Sequence, residues 1–387
     1  MKYWRGYLVA AIFAAISWAL VQFAQAHSVL VDMIYPYVTR MFITSMADWT
    51  GSMSFCLWQV ILVGLIAAGI ASIVLMVVLR WNPVQWFGWV MAVVMCISMC
   101  NTVVYGLNAY SSPLADDIRL EVTDYTVSEL NEATLYFRDK ANEMAKEVIR
   151  DSNGDPAFDT FEKLAEQAAD GYEALTYDEA ISVFSGSTAP VKRQSWFKSK
   201  GDSGITVPLT GEAAVNPDVP VVCLPFAMCK EMAHRMSIYS EADANFAAFL
   251  ACTNNSSQAF QYSAYLMAYH YCYEALASIP TSTAQACAKQ TDSGVNQLLK
   301  NDLQDCMDFY GKTKTSASSQ TNTNTTEPDG EESTVTFSSY SNVSHLLASW
   351  YIQEFIVPLH QEEEEPFDPY DPTQVDLSGI VNAPTQG

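Results

Sequence analysis

The chain has 387 residues, half of them hydrophobic, with 20 lysine and arginine residues against 43 aspartate and glutamate residues. The formal net charge of −23 excludes nucleic acid as a partner, because a phosphate backbone requires a basic protein face. The charge is unevenly distributed, with a net +2 over residues 1–106 and a net −25 over residues 107–387. The sequence therefore predicts an apolar membrane part followed by an acidic soluble part.

Three apolar runs, at about 6–26, 55–79 and 84–105, approach the roughly 20 residues that a bilayer requires. Lys2 and Arg5 precede the first run and Arg80 separates the second from the third. The positive-inside rule places these basic residues in the cytoplasm. The sequence thus predicts a multi-pass protein of the cell membrane, with lipid as a partner and residues after 106 outside the cytoplasm.

The first apolar run has a second interpretation. A basic start, an apolar core and Ala24-Gln25-Ala26 are typical of a cleavable signal peptide. Cleavage would leave two spans and the soluble part on the same side. We favour three retained spans because of the family resemblance described below. Residues 27–53 are too apolar for a solvated loop, and we expect them to lie along the membrane surface.

The soluble part is expected to be mostly helical. Thr126 or Ser128 is a suitable N-cap for a long helix that continues to about Arg150, and a second helix should occupy about 160–175. Apolar periodicity predicts five further helices. Their approximate ranges are 224–236, a helix that begins at 241, 262–276, 295–309 and 346–357. We expect residues 312–337 to be a disordered insertion and residues 358–387 a flexible acidic tail.

Two short strands are predicted at 204–208 and 214–216, on either side of a turn. Pro208 restricts the first to the edge of a sheet, because proline lacks the backbone N–H. The preceding segment contains a basic cluster, which we interpret as a solvated loop face, or alternatively as a contact for anionic headgroups. The cluster consists of Lys192, Arg193, Lys198 and Lys200.

The segment from Cys229 to Arg235 resembles the H-E-x-x-H motif of zinc peptidases, with one ligand replaced. In that motif two histidines one helical turn apart bind zinc, and the glutamate activates a water. Glu231 and His234 occupy the positions of the glutamate and the second histidine. Lys230 occupies the position of the first, and a protonated amine has no lone pair for a metal.

The whole arrangement resembles a family of bacterial three-span membrane proteins catalogued only as a domain of unknown function. The resemblance covers roughly residues 30–357 and rests on collinear segments. These segments are Ile34-Tyr35-Pro36, Tyr105-Gly106-Leu107-Asn108, Pro113-Leu114, Gly171-Tyr172-Glu173-Ala174-Leu175, Gly204-Ile205, Thr210-Gly211-Glu212-Ala213, Val215-Asn216, Asp218-Val219-Pro220, Leu224-Pro225-Phe226, Glu231, Ala233-His234, Glu241 and Ala244-Asn245-Phe246.

The resemblance implies a mainly α membrane protein with three N-terminal transmembrane helices. A mostly helical α+β zincin-like (gluzincin-type) domain with a short edge sheet should follow at 107–311 and 338–357. The implied roles are vestigial: Glu231 as general base, His234 and Glu241 as zinc ligands. Asp243 is the alternative third ligand.

The edge strand would bind substrate, and its predicted contact residues are Ile205, Thr206, Val207, Gly211 and Asn216. Zinc belongs to the family pattern, but with Lys230 in place we expect no bound cofactor. The family pattern also has glycine near Ser237 and glutamate at Asp243.

Six cysteines lie in the predicted extracytoplasmic part, so disulfides are expected there, although six cysteines allow 15 pairings. We favour Cys287–Cys306, which would join two helical segments beside the insertion. Cys252 and Cys272 lie in apolar helices, and buried free thiols are the alternative for them.

Three functions remain open at this point. The first is a membrane-anchored pseudopeptidase that binds a peptide or protein without cutting it. The second is an active metallopeptidase with altered metal ligation, for which His270 would be a further candidate ligand. The third is a structural subunit of a membrane assembly. We favour the first, because a lysine can replace the charge of a lost cation.

Overall fold

The computed structural model describes residues 4–176, 183–310, 334–335 and 342–358. Most of the predicted insertion and nearly all of the predicted acidic tail lie outside these residues. The described chain is mainly helical with a small three-stranded sheet, as predicted.

Three helices are long and apolar enough to cross a membrane: α1 (Arg5–Ala26), α3 (Leu57–Val78) and α4 (Pro83–Val104). They confirm the three predicted apolar spans to within about two residues at each end. α1 and α4 pack together and approach closely at Gly6, where an added Cβ would lie 2.5 Å from the carbonyl carbon of Gly88. Glycine allows this close approach of two helix backbones in a membrane. Which side the soluble part occupies stays a prediction.

The segment between the first two spans forms a helix, α2 (Ser28–Gly51). One face, including Val31, Ile43 and Ala47, is buried. The opposite face exposes apolar side chains, among them Met33 (65% exposed) and Met41 (68% exposed). α2 therefore connects the spans to the soluble part and leaves an apolar face outward, in agreement with a position along the membrane surface.

The soluble part is built from helices that enclose one large apolar core. They are α5 (Leu114–Asp117), α6 (Val127–Glu147), α7 (Phe161–Leu175), α8 (Leu224–Arg235), α9 (Glu241–Asn254), α10 (Gln258–Ser278), α11 (Ser282–Ser293), α12 (Gln297–Tyr310) and α13 (Val343–Tyr351). A single π-helical turn, Ile352–Ile356, follows α13. α8 and α9 pack against each other and against α10, which brings the start of α9 beside the end of α8.

Polar side chains fix the starts of several helices. Thr126 caps α6: its hydroxyl accepts from the Glu129 backbone N–H (3.1 Å), and the Glu129 carboxylate accepts from the Thr126 N–H (2.7 Å). This capping box decides between the two predicted caps in favour of Thr126. Ser240 caps α9 through the Asp243 N–H. We did not predict α11, because only three of its residues are buried and its apolar period is weak.

The three-stranded sheet has the order β2 (Lys192–Arg193), β4 (Glu212–Val215), β3 (Gly204–Val207). β3 pairs antiparallel with β4 and lies at the edge, where Pro208 predicted it. A second, two-stranded pair joins β1 (Tyr125–Thr126) and β5 (Thr334–Val335), so these two residues of the predicted insertion form a strand.

The prediction that Lys192 lies on a solvated loop face is wrong. Its side chain is 11% exposed, and Nζ lies 2.8 Å from Oε1 of the fully buried Glu212 side chain. Glu212 also accepts hydrogen bonds from the backbone N–H groups of Leu57 (2.7 Å) and Trp58 (2.8 Å) at the start of α3. A buried carboxylate needs such partners, so the lysine pairs inside rather than facing solvent.

The predicted disulfide Cys287–Cys306 is also wrong. Cys306 is bonded to Cys223, and Cys287 is a free, partly buried thiol. Cys223 ends a short 3-10 turn, and this turn packs against α12, which carries Cys306. The disulfide partner of Cys306 is therefore determined by tertiary packing. Cys252 and Cys272 are buried free thiols, as the alternative prediction had them.

Candidate functional site

The residues of the degenerate motif meet where α8 ends and α9 begins. α8 carries Lys230, Glu231 and His234, and Glu241 is the first residue of α9. The chain reverses between the helices at Ser237, whose φ of 72° is in the left-handed region that favours glycine. This backbone conformation explains why the family pattern has a glycine near this position.

Four side chains form one charged group, which we call the Lys230 cluster: Lys230, Glu231, His234 and Glu241. The Lys230 Nζ lies 3.3 Å from Glu241 Oε2 and 3.5 Å from Glu231 Oε1. The His234 Nε2 lies 3.2 Å from Glu241 Oε1. The sequence-predicted residues therefore converge, with the ammonium between the two carboxylates.

Mutual attraction favours the charged forms of Lys230 and Glu241. Burial disfavours the Lys230 ammonium, but the charges of Glu231 and Glu241 outweigh this and raise its pKa. The hydrogen bond from His234, assisted by Lys230, lowers the pKa of Glu241 to about 2. Burial alone would lower the pKa of His234, but the hydrogen bond between His234 and Glu241 outweighs burial and raises that pKa overall. At neutral pH we therefore expect a charged Lys230 beside a charged Glu241.

The side chains of the cluster fit an ammonium better than a zinc ion. Zinc needs donors with free lone pairs, and the protonated Lys230 has none. Within the described parts of the chain, no group of three or more His, Cys, Asp and Glu residues is arranged to hold a metal ion. His270 does not supply the missing ligand in such a group. We therefore derive no chemistry through a metal.

β3 lies directly against the motif glutamate. The Thr206 hydroxyl lies 2.9 Å from Glu231 Oε2 and 2.8 Å from the Glu231 carbonyl oxygen. A Cβ added to Gly204 would lie 2.8 Å from the Glu231 Cγ, so glycine allows this approach. Ile205 is 41% exposed beside these contacts, and Val207 is half-buried at the end of the strand. The edge strand thus contacts the Lys230 cluster through Gly204 and Thr206.

The other two predicted substrate residues have different surroundings. Gly211, at φ 66°, turns the chain against α2, where an added Cβ would lie 2.3 Å from the Ala47 nitrogen. Asn216 is buried, and its amide nitrogen donates to the carbonyl oxygens of Ser199 (3.0 Å) and Asp202 (3.1 Å). The structure thus uses both to hold loops in place and does not bring them to the Lys230 cluster.

Asp243, the alternative third ligand, faces away from Lys230. It lines a separate cavity beside α2. Burial raises the pKa of its carboxyl group to about 6, and the Leu114 backbone N–H opposes this only in part. Of the two acidic residues in this turn, Glu241 is therefore the one that contacts the Lys230 cluster.

Tyr105, immediately after α4, is a contact of the site that our sequence reasoning missed. Its hydroxyl lies 3.3 Å from His234 Nδ1 and donates to the Ile238 carbonyl oxygen (3.1 Å). Tyr271 and Tyr310 also lie close enough to Lys230 to interact with its charge. Tyr105 belongs to a segment that carried the family resemblance, and that was the available signal. The end of a span thus contacts the candidate site.

The comparisons with known proteins give a family but no characterised relative. A family model described as "Protein of unknown function (DUF3810)" matches residues 31–347. Neither the search of curated proteins nor that of solved structures finds a match. The match spans most of the chain, including nearly all of α2, two of the three spans and the Lys230 cluster, and the protein therefore belongs to the DUF3810 family.

Proposed function

We propose that this protein is a membrane-anchored, zincin-like pseudopeptidase, which binds an extended peptide segment beside the Lys230 cluster without hydrolysing it. The observation that carries the proposal is the position of the Lys230 ammonium, within 3.5 Å of both Glu231 and Glu241. In a zinc peptidase the first imidazole of the motif would occupy this helix position. Here a single positive charge balances the two carboxylates.

Glu231 is poorly suited to act as a general base in this arrangement. A base that activates water needs a free carboxylate oxygen directed at that water. One oxygen of Glu231 accepts from the Thr206 hydroxyl (2.9 Å), and the other faces Lys230 Nζ (3.5 Å). The side chain is 2% exposed, which leaves little room for a nucleophilic water. These contacts support binding without hydrolysis.

The edge strand supplies the surface for a peptide. Ser203 O accepts from the Asn216 N–H, so Ile205 and Val207 direct their backbone groups toward β4. By the alternation of antiparallel strands, Gly204 and Thr206 direct theirs toward the open edge. A peptide in extended conformation could pair with that edge as an added strand. Pairing of this kind uses main-chain groups and requires no metal.

Lys230→His tests the proposal at its central residue. The introduced imidazole completes a set of three zinc ligands with His234 and Glu241 and leaves a fourth coordination position open. We expect zinc to raise the melting temperature of the variant. At a free zinc concentration of 100 times the Kd, binding should stabilise the folded state by about 2.7 kcal/mol. The wild-type protein should show no zinc-dependent shift and should not hydrolyse casein.

Lys230→Arg is the matched control, because it retains the positive charge and cannot bind zinc. It should behave like the wild type in the same titration. Stoichiometric zinc in the wild-type protein, lost in Glu241→Ala, would favour an active metallopeptidase instead. If Lys230→His gains no zinc-dependent stability, the three side chains do not converge as the structure has them.

Thr206→Pro tests the peptide-binding edge. The substitution removes an outward N–H and leaves the pairs between β3 and β4 in place. We expect peptides selected by the wild-type protein from a random heptapeptide library to bind the variant at least about tenfold more weakly. Thr206→Val is the control: it removes the hydroxyl that contacts Glu231 but keeps the N–H, and it should retain binding. Equal losses in both variants would contradict strand pairing.

A further inference from the structure

The cavity that Asp243 lines, of about 740 Å³, lies where α2, the segment after α4 and the start of α9 meet. We call it the juxtamembrane cavity. Its size is typical of sites for small molecules. Charged side chains in its wall are mostly acidic: Asp32, Asp116, Asp117 and Asp243, with Arg40 and Arg119. The cavity is separate from the Lys230 cluster and has no part in the function proposed above.

Asp243 is the residue that indicates a ligand. It is 7% exposed, and the Leu114 backbone N–H and the Ser240 hydroxyl lie within hydrogen-bonding reach of its carboxyl group. Its Oδ1 is nevertheless buried without a hydrogen-bond partner. A carboxylate oxygen buried in this way is costly unless a donor or a cation meets it. The wall of the cavity thus contains an acceptor that the described residues do not satisfy.

No described residue, Arg40 and Arg119 included, donates a hydrogen bond to the Oδ1 of Asp243. The Arg40 Nε donates to the Met236 carbonyl oxygen (3.0 Å), and its guanidinium lies over the Tyr37 ring. Asp32 likewise has a partner, because its Oδ1 accepts from the Ser112 N–H (2.7 Å). The wall therefore favours a ligand with a positive, hydrogen-donating group at Asp243.

The cavity opens beside the membrane surface. α1 ends at Ala26 and α4 at Val104, and the lining residues Asp32 and Asn108 follow within about two helical turns. Met33 (65% exposed) and Tyr37 (58% exposed) line the cavity and belong to the outward apolar face of α2. A helix with such a face lies at the level of the lipid headgroups. A headgroup can thus reach the cavity from the bilayer.

We propose that the juxtamembrane cavity binds a primary ammonium group against Asp243, carried by the ethanolamine headgroup of a membrane phospholipid. A primary ammonium supplies three N–H donors and one positive charge. A divalent metal fits less well, because the described acidic residues form no group arranged to hold one. A quaternary ammonium has no N–H and cannot satisfy Oδ1. Free phosphoethanolamine carries the same primary ammonium group and comes from a soluble source.

The experiment uses the full chain, freed of lipid in detergent. Thermal stability is measured with phosphatidylethanolamine, phosphatidylcholine, free phosphoethanolamine and free phosphocholine. We expect the two ethanolamine compounds to raise the melting temperature and the two choline compounds to have little effect. Asp243→Asn, which has nearly the same shape, should weaken ethanolamine binding at least about tenfold. Asp139→Asn, on the exposed surface of α6, is the matched control.

The arms of the experiment separate the two sources. Stabilisation by the lipid identifies the membrane as the source, and stabilisation by free phosphoethanolamine alone identifies a soluble amine. Equal stabilisation by choline compounds, or an unchanged effect in Asp243→Asn, would overturn the proposal. Should Asp243→Asn fail to fold, Asp117→Asn at the exposed end of the cavity provides the second variant, with a smaller expected loss. No stabilisation by either ethanolamine compound would also overturn it.

Discussion

Two carboxylates in the first turn of α9 lie two residues apart and have opposite surroundings. Glu241 faces a lysine and a histidine, and its pKa is lowered to about 2. Asp243 faces the juxtamembrane cavity, where burial raises its pKa to about 6. Residues at i and i+2 on a helix do not share a face, so the same turn serves two sites. The neighbours of these two acidic residues, and not their type, determine their pKa values.

The Lys230 cluster and the juxtamembrane cavity also differ in how they balance charge. In the cluster Lys230 contacts both neighbouring carboxylates. In the cavity the Oδ1 of Asp243 is left without a partner. Removing a charge should therefore destabilise the first region and stabilise the second.

The largest expected effect is that of Lys230→Met. The substitution leaves the carboxylate of Glu231, which is 2% exposed, without its cation. Loss of one partner of a buried pair costs about 3–5 kcal/mol, and the melting temperature of the variant should fall accordingly.

The double variant Lys230→Met with Glu231→Gln should recover much of that loss, because it removes the uncompensated charge. Lys140→Met, in an exposed pair on α6, should change stability by less than about 1 kcal/mol. A double variant as unstable as Lys230→Met would show that lost packing, and not charge, explains the effect.

Asp243→Asn should have the opposite sign. Because the pKa of Asp243 is raised in the folded protein, its favourable contribution is present below pH 3.8 and is lost as pH rises through about 6. In lipid-free detergent without added amine, the variant should be more stable than the wild type at pH 7.5, by about 2–3 kcal/mol. The difference should vanish near pH 4.

Thermal unfolding of both proteins between pH 4 and pH 8 measures this dependence, and Asp139→Asn, at an exposed aspartate of α6, is the matched control. A variant less stable than the wild type at pH 7.5 would mean that Asp243 already has a cationic partner. The contrast between the two regions would then be lost.

Glu241→Gln should have the smallest effect. The side chain is 71% exposed, so water screens its pairs and the loss at pH 7 should stay below about 1 kcal/mol. The lowered pKa of Glu241 means that its contribution is present above about pH 4.5 and is lost as pH falls toward about 2. The difference between wild type and variant should thus shrink over that range. A loss as large as that of Lys230→Met would show that Glu241 is effectively buried.

The sequence was most informative where a local property determines the structure. The three apolar runs predicted the spans, because a segment of that length and composition is stable in lipid whatever surrounds it. Thr126, one of two candidate caps, predicted a helix start, because a cap bonds to backbone groups only a few residues away. The motif spacing likewise placed Lys230 and His234 on one face of α8.

Contacts between distant segments required the tertiary structure. The charge of Lys192 suggested solvent, and only the fold revealed the buried Glu212 beside it. The partner of Cys306 depended on which turn packs against α12.

For this protein, the sequence by itself determined the membrane helices, the helical character of the soluble part and the residues of the degenerate motif, because these follow from composition and spacing along the chain. Only the tertiary structure decided that Glu241 meets Lys230 while Asp243 lines the juxtamembrane cavity, and that Tyr105 reaches His234. The physical reason is that these contacts depend on how α2, α4, α8 and α9 are rotated and packed against one another. That packing depends on the whole core, and no short pattern in the sequence records it.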